Sequence, residues 1–304
     1  MNPLANASVY AAGVLAAFFF AASVYAQGQP DSGMIEKVKA AIPRQAPVKP
    51  KQPRNILVFS RTAGFRHSSI PIGVRAISLM GDQTGAYTVT ATEDESFFDV
   101  DKLNQFDAVF MLNTTGNCLR PKGGSKEEQD RREEEYKRNL VDFVTSGKGL
   151  IGIHSATDTY TTWKDYNRMM GGAFDGHPWN ANSQVTIKNV APDHPVNAMF
   201  GGKGFEITDE IYQFRGDTAL QGDRKYLLTL DNDKTNISIG KRKDRFYPIS
   251  WISTFGKGRV FYCSLGHRED IFWNPLILQH YLAGIQYALG DLEADASPNF
   301  PSEK

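Results

Sequence analysis

The sequence predicts an α/β fold, a mostly parallel central sheet with helices on both faces. Three observations carry this. Short apolar runs alternate with stretches of helical spacing through the first half of the chain. The runs lack the polar alternation of a half-exposed strand, as strands covered on both faces do. Proline, glycine or a polar turn separates one segment from the next. Alternation of this kind favours right-handed crossovers in one sheet.

The first strand is residues 55–60 (NILVFS), between Pro53 and the turn Arg61-Thr62-Ala63-Gly64. Residues 70–80 place Ile70, Val74 and Ile77 at helical spacing, with Leu79 nearby, and are expected to stop at Gly81. Residues 87–92 are β-branched and follow Gly85, and 107–112 (DAVFML) form the third strand. Residues 126–146 read as a charged helix with Leu140, Val141, Phe143 and Val144 inward, and 149–153 (GLIGI) as the fourth strand. The run KEEQDRREEEYKR at 126–138 is a solvated helix face, with Glu127/Arg131, Glu128/Arg132 and Glu134/Arg138 at i,i+4 spacing. Further on, 184–190, 226–230, 247–252 and 259–264 read as strands and 274–289 as a closing helix. Gly256-Lys257-Gly258 between two apolar runs is a hairpin turn.

The chain of 304 residues balances 34 Lys+Arg against 34 Asp+Glu, which argues against a nucleic-acid binder relying on a basic field. Two cysteines exclude a disulfide-dense scaffold or a multi-cysteine zinc module. Residues 1–26 carry no charge, hold an apolar run at 16–22, and end with Val24 and Ala26 at the −3 and −1 positions before Gln27. This reads as a secretory signal peptide, and the expected location is the periplasm or outside the cell. The basic leader of such a peptide is missing, so an uncleaved amino-terminal anchor is the alternative. Residues 27–53 carry five prolines, five basic and two acidic residues and read as a proline-rich tether, with room for a short helix around 34–41. The domain then spans 54–290, followed by an acidic tail at 291–304.

In open α/β sheets ligands bind outside the carboxyl ends of the strands. His67 follows the first strand, His154 the fourth and His267 the last. In Gly152-Ile153-His154-Ser155-Ala156 a strand turns abruptly between small residues, the pattern of an elbow that projects its central side chain. Asp158, four residues on, is a candidate to fix the imidazole tautomer.

The stretches GFRH (64–67), GLIGIHSATD (149–158), Gly171-Gly172-Ala173-Phe174 with His177-Pro178, Asp193-His194-Pro195, Asp209-Glu210-Ile211-Tyr212 and GKGRVFYCSLGH (256–267) together resemble the ThuA-like, or trehalose-utilisation, family. The resemblance implies a class I glutamine amidotransferase-like (flavodoxin-like) fold and a role in carbohydrate metabolism. Those amidotransferases place a cysteine nucleophile at the elbow and complete the triad from a late His-x-Glu. This chain keeps His267-Arg268-Glu269 but has His154 at the elbow, so thiol attack on an amide is not available there. Cys118 and Cys263 read as loop and packing residues.

Histidines beside carboxylates suit acid–base catalysis or a divalent metal with an open position. No pair has the i,i+4 spacing of a helical zinc site, no cofactor is assigned, and a divalent metal stays an alternative. His154 and His267 are expected as the acid–base pair, with Asp158 and Glu210 assisting. Arg66, His67, His177, Tyr212 and Trp163 are expected to bind substrate; of the aromatics in or beside these loops, Tyr160, Trp163, Trp179, Tyr212 and Trp273, most are expected in the core, and an exposed one would stack on a sugar. His194 and His280 read as structural. The expected activity is hydrolysis, elimination or isomerisation of a glycoside or keto-sugar. The alternative is a sugar-binding module without turnover, and the oligomeric state is left open.

Overall fold

The computed structural model describes residues 30–216 and 223–299, so the expected signal peptide at 1–26 lies outside the described residues. Nine strands form one sheet: β1 (Asn55–Phe59), β2 (Thr88–Thr92), β3 (Ala108–Leu112), β4 (Gly149–Ile153), β5 (Gln184–Asn189), β6 (Phe205–Thr208), β7 (Arg224–Leu230), β8 (Pro248–Phe255) and β9 (Gly258–Cys263). Their order across the sheet is β2-β1-β3-β4-β9-β8-β7-β5-β6. The helices are α1 (Ser32–Ala41), α2 (Ile70–Thr84), α3 (Val100–Leu103), α4 (Lys126–Thr145), α5 (Lys164–Met170) and α6 (Pro275–Ala288).

Successive residues of β1 supply two different apolar clusters. Ile56 and Val58 pack with Ile77 and Met80 of α2 and with Leu278 and Leu282 of α6. Leu57 and Phe59 pack with Leu140 and Phe143 of α4 and with Tyr166 of α5. The period-2 alternation of a strand thus feeds a core on each face, which is why these runs look uniformly apolar.

The expected mostly parallel sheet is half of the answer. Strands β2, β1, β3, β4 and β9 are mutually parallel. From β9 outward, β8, β7, β5 and β6 pair antiparallel, so the sheet is mixed. The Gly256–Lys257 turn joins β8 to β9 with Phe255 opposite Gly258, and so short a connection can only reverse the chain. β6 is an edge strand of four residues, and its alternation of Phe205 and Ile207 with Glu206 and Thr208 is too short to announce it.

Residues 30–53, expected as a tether, are packed. Val38 of α1 is fully buried, with Met34, Ile35 and Ala41 against the same core. The Val48 backbone exchanges hydrogen bonds with the Gln286 amide at 3.1 and 2.7 Å. The tail is tied down too. Buried Asp291 accepts from Arg54 Nη2 at 2.6 Å and from Lys51 N–H at 3.0 Å, and the Asn299 amide brackets the Tyr226 backbone at 2.7 and 3.0 Å. The segment is a strap packed along the domain, a use that composition does not separate from a free linker.

Helix α2 runs past Gly81 to Thr84. On α4 the ion pairs differ from the expected ones. Glu128 is spent in a capping box with Ser125, while Lys126 pairs with Asp130, Arg132 with Glu135, and Lys137 with Glu134. Among the described residues no helix is long and apolar enough to cross a membrane.

Candidate functional site

The site lies where β1, β4 and β9 end. Pairing Ile153 with Cys263 in parallel brings the elbow after β4 beside the loop after β9. His154 opens the 3₁₀ turn His154–Asp158 with φ +48°, a left-handed conformation that costs a non-glycine residue roughly 1–2 kcal/mol. Such strain persists only where the surroundings enforce it, and functional sites are where it collects. A Cβ on Gly152 would come 2.2 Å from Met170 Sδ, so the strand before the elbow admits no side chain there.

The His154 ring is wholly buried. Its Nδ1 lies 2.8 Å from the Ser264 carbonyl. A carbonyl only accepts, so Nδ1 carries the hydrogen and Nε2 is left with a lone pair. Among the described residues that Nε2 has no hydrogen-bond partner, and it sits 3.6 Å from Glu210 Oε2. The other Glu210 oxygen faces His177 Nδ1 at 3.2 Å and His267 Nε2 at 3.7 Å. His67 completes the floor, its ring 4.8 Å from that of His154 and 5.0 Å from that of His267, with Nδ1 3.4 Å from Ser155 Oγ. Tyr212 lies on the His154 ring at 4.4 Å. Exposure is graded: His154 0%, His67 3%, His267 24% at the side chain and His177 49% at the side chain.

Two buried polar residues hold these loops. Asp209 accepts from the Gly266 N–H at 2.7 Å and the Arg268 N–H at 3.0 Å. Asn113, at φ +48° after β3, donates from Nδ2 to the Gly266 carbonyl at 2.9 Å and to Ser69 Oγ at 3.0 Å. Gly266 has φ +136°, and a Cβ there would come 2.8 Å from Ile153. The loop bearing His267 is therefore clamped from both sides.

Burial dominates the electrostatics. It holds the imidazoles neutral, pushing His154 down to about 3 and His67 to about 2, with neighbouring imidazoles adding to the effect. His267 is also lowered by burial, against the attraction of Glu210. The Glu210 carboxyl is raised by burial, opposed by His267 and His177. Asp158 is raised to about 6 and Asp209 to about 7, again by burial.

Six expected site residues meet here: His67, His154, His177, His267, Glu210 and Tyr212. Three take other positions. The Ser264 carbonyl, and not Asp158, fixes the His154 tautomer. Arg66 is committed to Glu93 at 2.6 Å. Trp163 packs on Tyr160 and Tyr166 with Lys137 Nζ 5.5 Å from its ring. Of the other rings, Tyr160 donates to Glu133 at 2.7 Å, Trp179 is buried against Asn236, and Trp273 lies under Lys37. His194 and His280 are structural: His194 accepts from the Val196 N–H, and His280 bonds Ser250 Oγ and the Val196 carbonyl. Cys118 and Cys263 are buried and unpaired with each other, and burial pushes both thiols up to about 12. Sequence reasoning missed Asn113, Asp209 and Phe65. Phe65 is 65% exposed, with its ring 4.8 Å from His67 and 6.4 Å from His267, and its place inside GFRH was the available signal.

No curated protein matches the chain. Among solved structures it is similar to a ThuA-like protein of Bacteroides uniformis, at 18% identity and TM-score 0.57 over 79% of this chain and 93% of that one. A ThuA-like protein of Parabacteroides merdae aligns at 16% identity and TM-score 0.55 over 78% and 90%. A cytoplasmic protein of Salmonella typhimurium aligns at 12% and 0.51 over 77% and 98%. At these identities the likeness is one of fold. Residues 55–288 match the ThuA family, described as trehalose utilisation, and the chain belongs to that family.

Proposed function

We propose that the protein is an exported enzyme of carbohydrate metabolism that acts on a glycoside or keto-sugar by proton transfer at the Glu210 cluster. The observation that carries this is one carboxylate within 3.2–3.7 Å of three imidazoles drawn from three separate loops. Hydrolysis, elimination and isomerisation of a sugar all need a proton removed at one atom and another delivered to an oxygen. Glu210, raised by burial, and His267, lowered by it, are brought toward each other in proton affinity, which suits such an exchange. His177 and His267 reach the solvent side and are placed to meet substrate. His154, fully buried with Nδ1 engaged, serves as floor and not as the mobile acid–base partner. Phe65 offers an exposed apolar face for a pyranose ring. The family description, trehalose utilisation, supports the substrate class.

The test is to incubate the purified chain with a panel of disaccharides and their keto derivatives, with and without divalent metal, and to look for product. Turnover should fall by ~10²–10⁴-fold in Glu210→Gln, the usual worth of an acid–base group. Saturable sugar binding without product from any substrate would replace this reading with a sugar-binding module. Undiminished turnover in Glu210→Gln would remove the carboxylate from the mechanism.

A further inference from the structure

We infer that the floor of this pocket, His67, His154 and Glu210, is a binding site for one divalent transition-metal cation with open positions toward the mouth. One potential ligand atom from each of the three lies within 4.8 Å of the others, and all three residues are buried. The inference rests on the reading above and deepens it by supplying that site with a Lewis acid held on Glu210 Oε2, which leaves Oε1 facing His177 and His267 for the proton exchange, but its geometry stands on separate grounds.

The decisive feature is the buried Nε2 of His154. Among the described residues it has no hydrogen-bond partner, and the nearest carboxylate oxygen is Glu210 Oε2, so with Glu210 ionised two acceptors stand beside one another. Their separation of 3.6 Å is long for a hydrogen bond. Two ligands each about 2.0–2.1 Å from a tetrahedral ion sit about 3.4 Å apart, close to what is seen. Two neutral imidazoles and one carboxylate make the three-ligand set of catalytic sites, which leaves room for water or a substrate oxygen. The donors are of borderline N/O character, which selects zinc, iron, cobalt or nickel ahead of calcium.

The surroundings fit as well. A metal-bound imidazole normally donates its other N–H to a carbonyl, as His154 Nδ1 does to Ser264. Ser155 Oγ stands 3.4 Å from His67 Nδ1 and leaves the other ring nitrogen for the ion. A ligating carboxylate is normally bonded through its second oxygen, and Glu210 Oε1 has His177 at 3.2 Å. Oε2 is then the oxygen that would ligate.

The full chain, stripped with chelator, is titrated with Co²⁺ alone and with Zn²⁺ alone, without sugar, by calorimetry and by visible absorption for Co²⁺. One equivalent should bind, with the absorption bands of a four- or five-coordinate nitrogen–oxygen site. His67→Gln and Glu210→Gln should each weaken binding by at least about tenfold, the lower range even for loss of an outer partner. His194→Gln, outside the pocket, should leave it unchanged. Because a buried substitution can damage the fold, each variant is also melted with and without Zn²⁺. The ion should raise the transition of the parent chain and of His194→Gln but not of the two ligand variants. No stoichiometric uptake, or uptake that survives both ligand substitutions, overturns the inference. Sugar turnover by the stripped chain without cation uptake would do so too while leaving the proposed function standing, and cation uptake without turnover of any sugar would do the reverse.

Discussion

The strain at His154 makes a prediction that can be isolated from the chemistry of its ring. His154→Ala and His154→Gly lose the same imidazole, the same bond to Ser264 and the same approach to Glu210, so the difference between them reports only on the backbone and one methyl. At an ordinary buried position glycine is the less stable of the two. It loses roughly 0.8 kcal/mol for the methyl and about 0.4–1 kcal/mol through the looser unfolded chain. At φ +48° alanine instead carries roughly 1–2 kcal/mol of left-handed strain that glycine escapes. The two effects nearly cancel, and Ala→Gly at 154 should cost close to nothing. Ala156 lies fully buried in the same 3₁₀ turn without a positive φ, and Ala156→Gly should show the ordinary loss.

Urea unfolding at pH 7.5 measures both steps. The cost at 156 should exceed the Ala-to-Gly cost at 154 by about 1–2 kcal/mol, while turnover is equally reduced in the two His154 variants. Equal costs at the two positions would show that His154 is not held in a strained elbow. The account of how it is aimed at Glu210 would then fail.

Glu210→Gln removes the anion that opposes the lowering of His267, so the acid limb of any residual activity should move to lower pH, and a limb that stays in place would uncouple the two groups. His280 is buried and neutral, lowered from 6.5 to about 4, so between those values the unfolded chain takes up a proton that the folded one refuses. Stability is lost as pH falls through that window, by ~2 kcal/mol at pH 5 from this residue alone. The stability gap between parent and His280→Gln should therefore shrink by about that amount from pH 7.5 to pH 5, and a constant gap would refute the linkage. Phe65→Ala should change stability by less than ~0.5 kcal/mol, because the ring is 65% exposed. It should raise KM for a sugar roughly 2- to 12-fold through loss of a ring contact worth about 0.5–1.5 kcal/mol, with kcat nearly unchanged.

What could be read from the sequence was what rests on local pattern. The apolar runs of β1, β3 and β4 and the helical spacing of α2 and α4 marked the parallel half of the sheet, and strand ends located His67, His154 and His267. The Gly256-Lys257-Gly258 turn announces the β8–β9 hairpin, but the pairing direction of β7, β5 and β6 was illegible, because alternation within a strand does not say which way its neighbour runs. The packing of the strap at 30–53 was illegible too, because its apolar residues are spread among prolines. Sequence proximity favours Asp158 as the partner of His154, yet the bond goes to the Ser264 carbonyl in the loop after β9, a partner no side-chain pattern reveals. Asn113 and Asp209 escaped for a related reason. Their work is to bind backbone groups of a loop more than fifty residues away, and nothing beside them in the chain records it.

The antiparallel half has a geometric consequence for the site. Each of the pairings β9–β8, β8–β7, β7–β5 and β5–β6 reverses direction, and four reversals restore it. β6 thus runs the same way as β1, β4 and β9, and its carboxyl end, followed at once by Asp209 and Glu210, opens on the edge where the histidines lie. β6 is four strands away from β9, however, about 19 Å at ~4.8 Å per strand. The chain covers that gap by laying residues 211–214 along the segment after α5, through bridges Trp179–Ile211 and Phe174–Phe214. The same segment carries His177, so one ribbon delivers both the carboxylate and its most exposed imidazole. Asp209 then fastens the ribbon to Gly266 and Arg268. With a parallel pairing at any one of the four positions, β6 would end on the opposite edge, and the floor histidines would face no carboxylate from it.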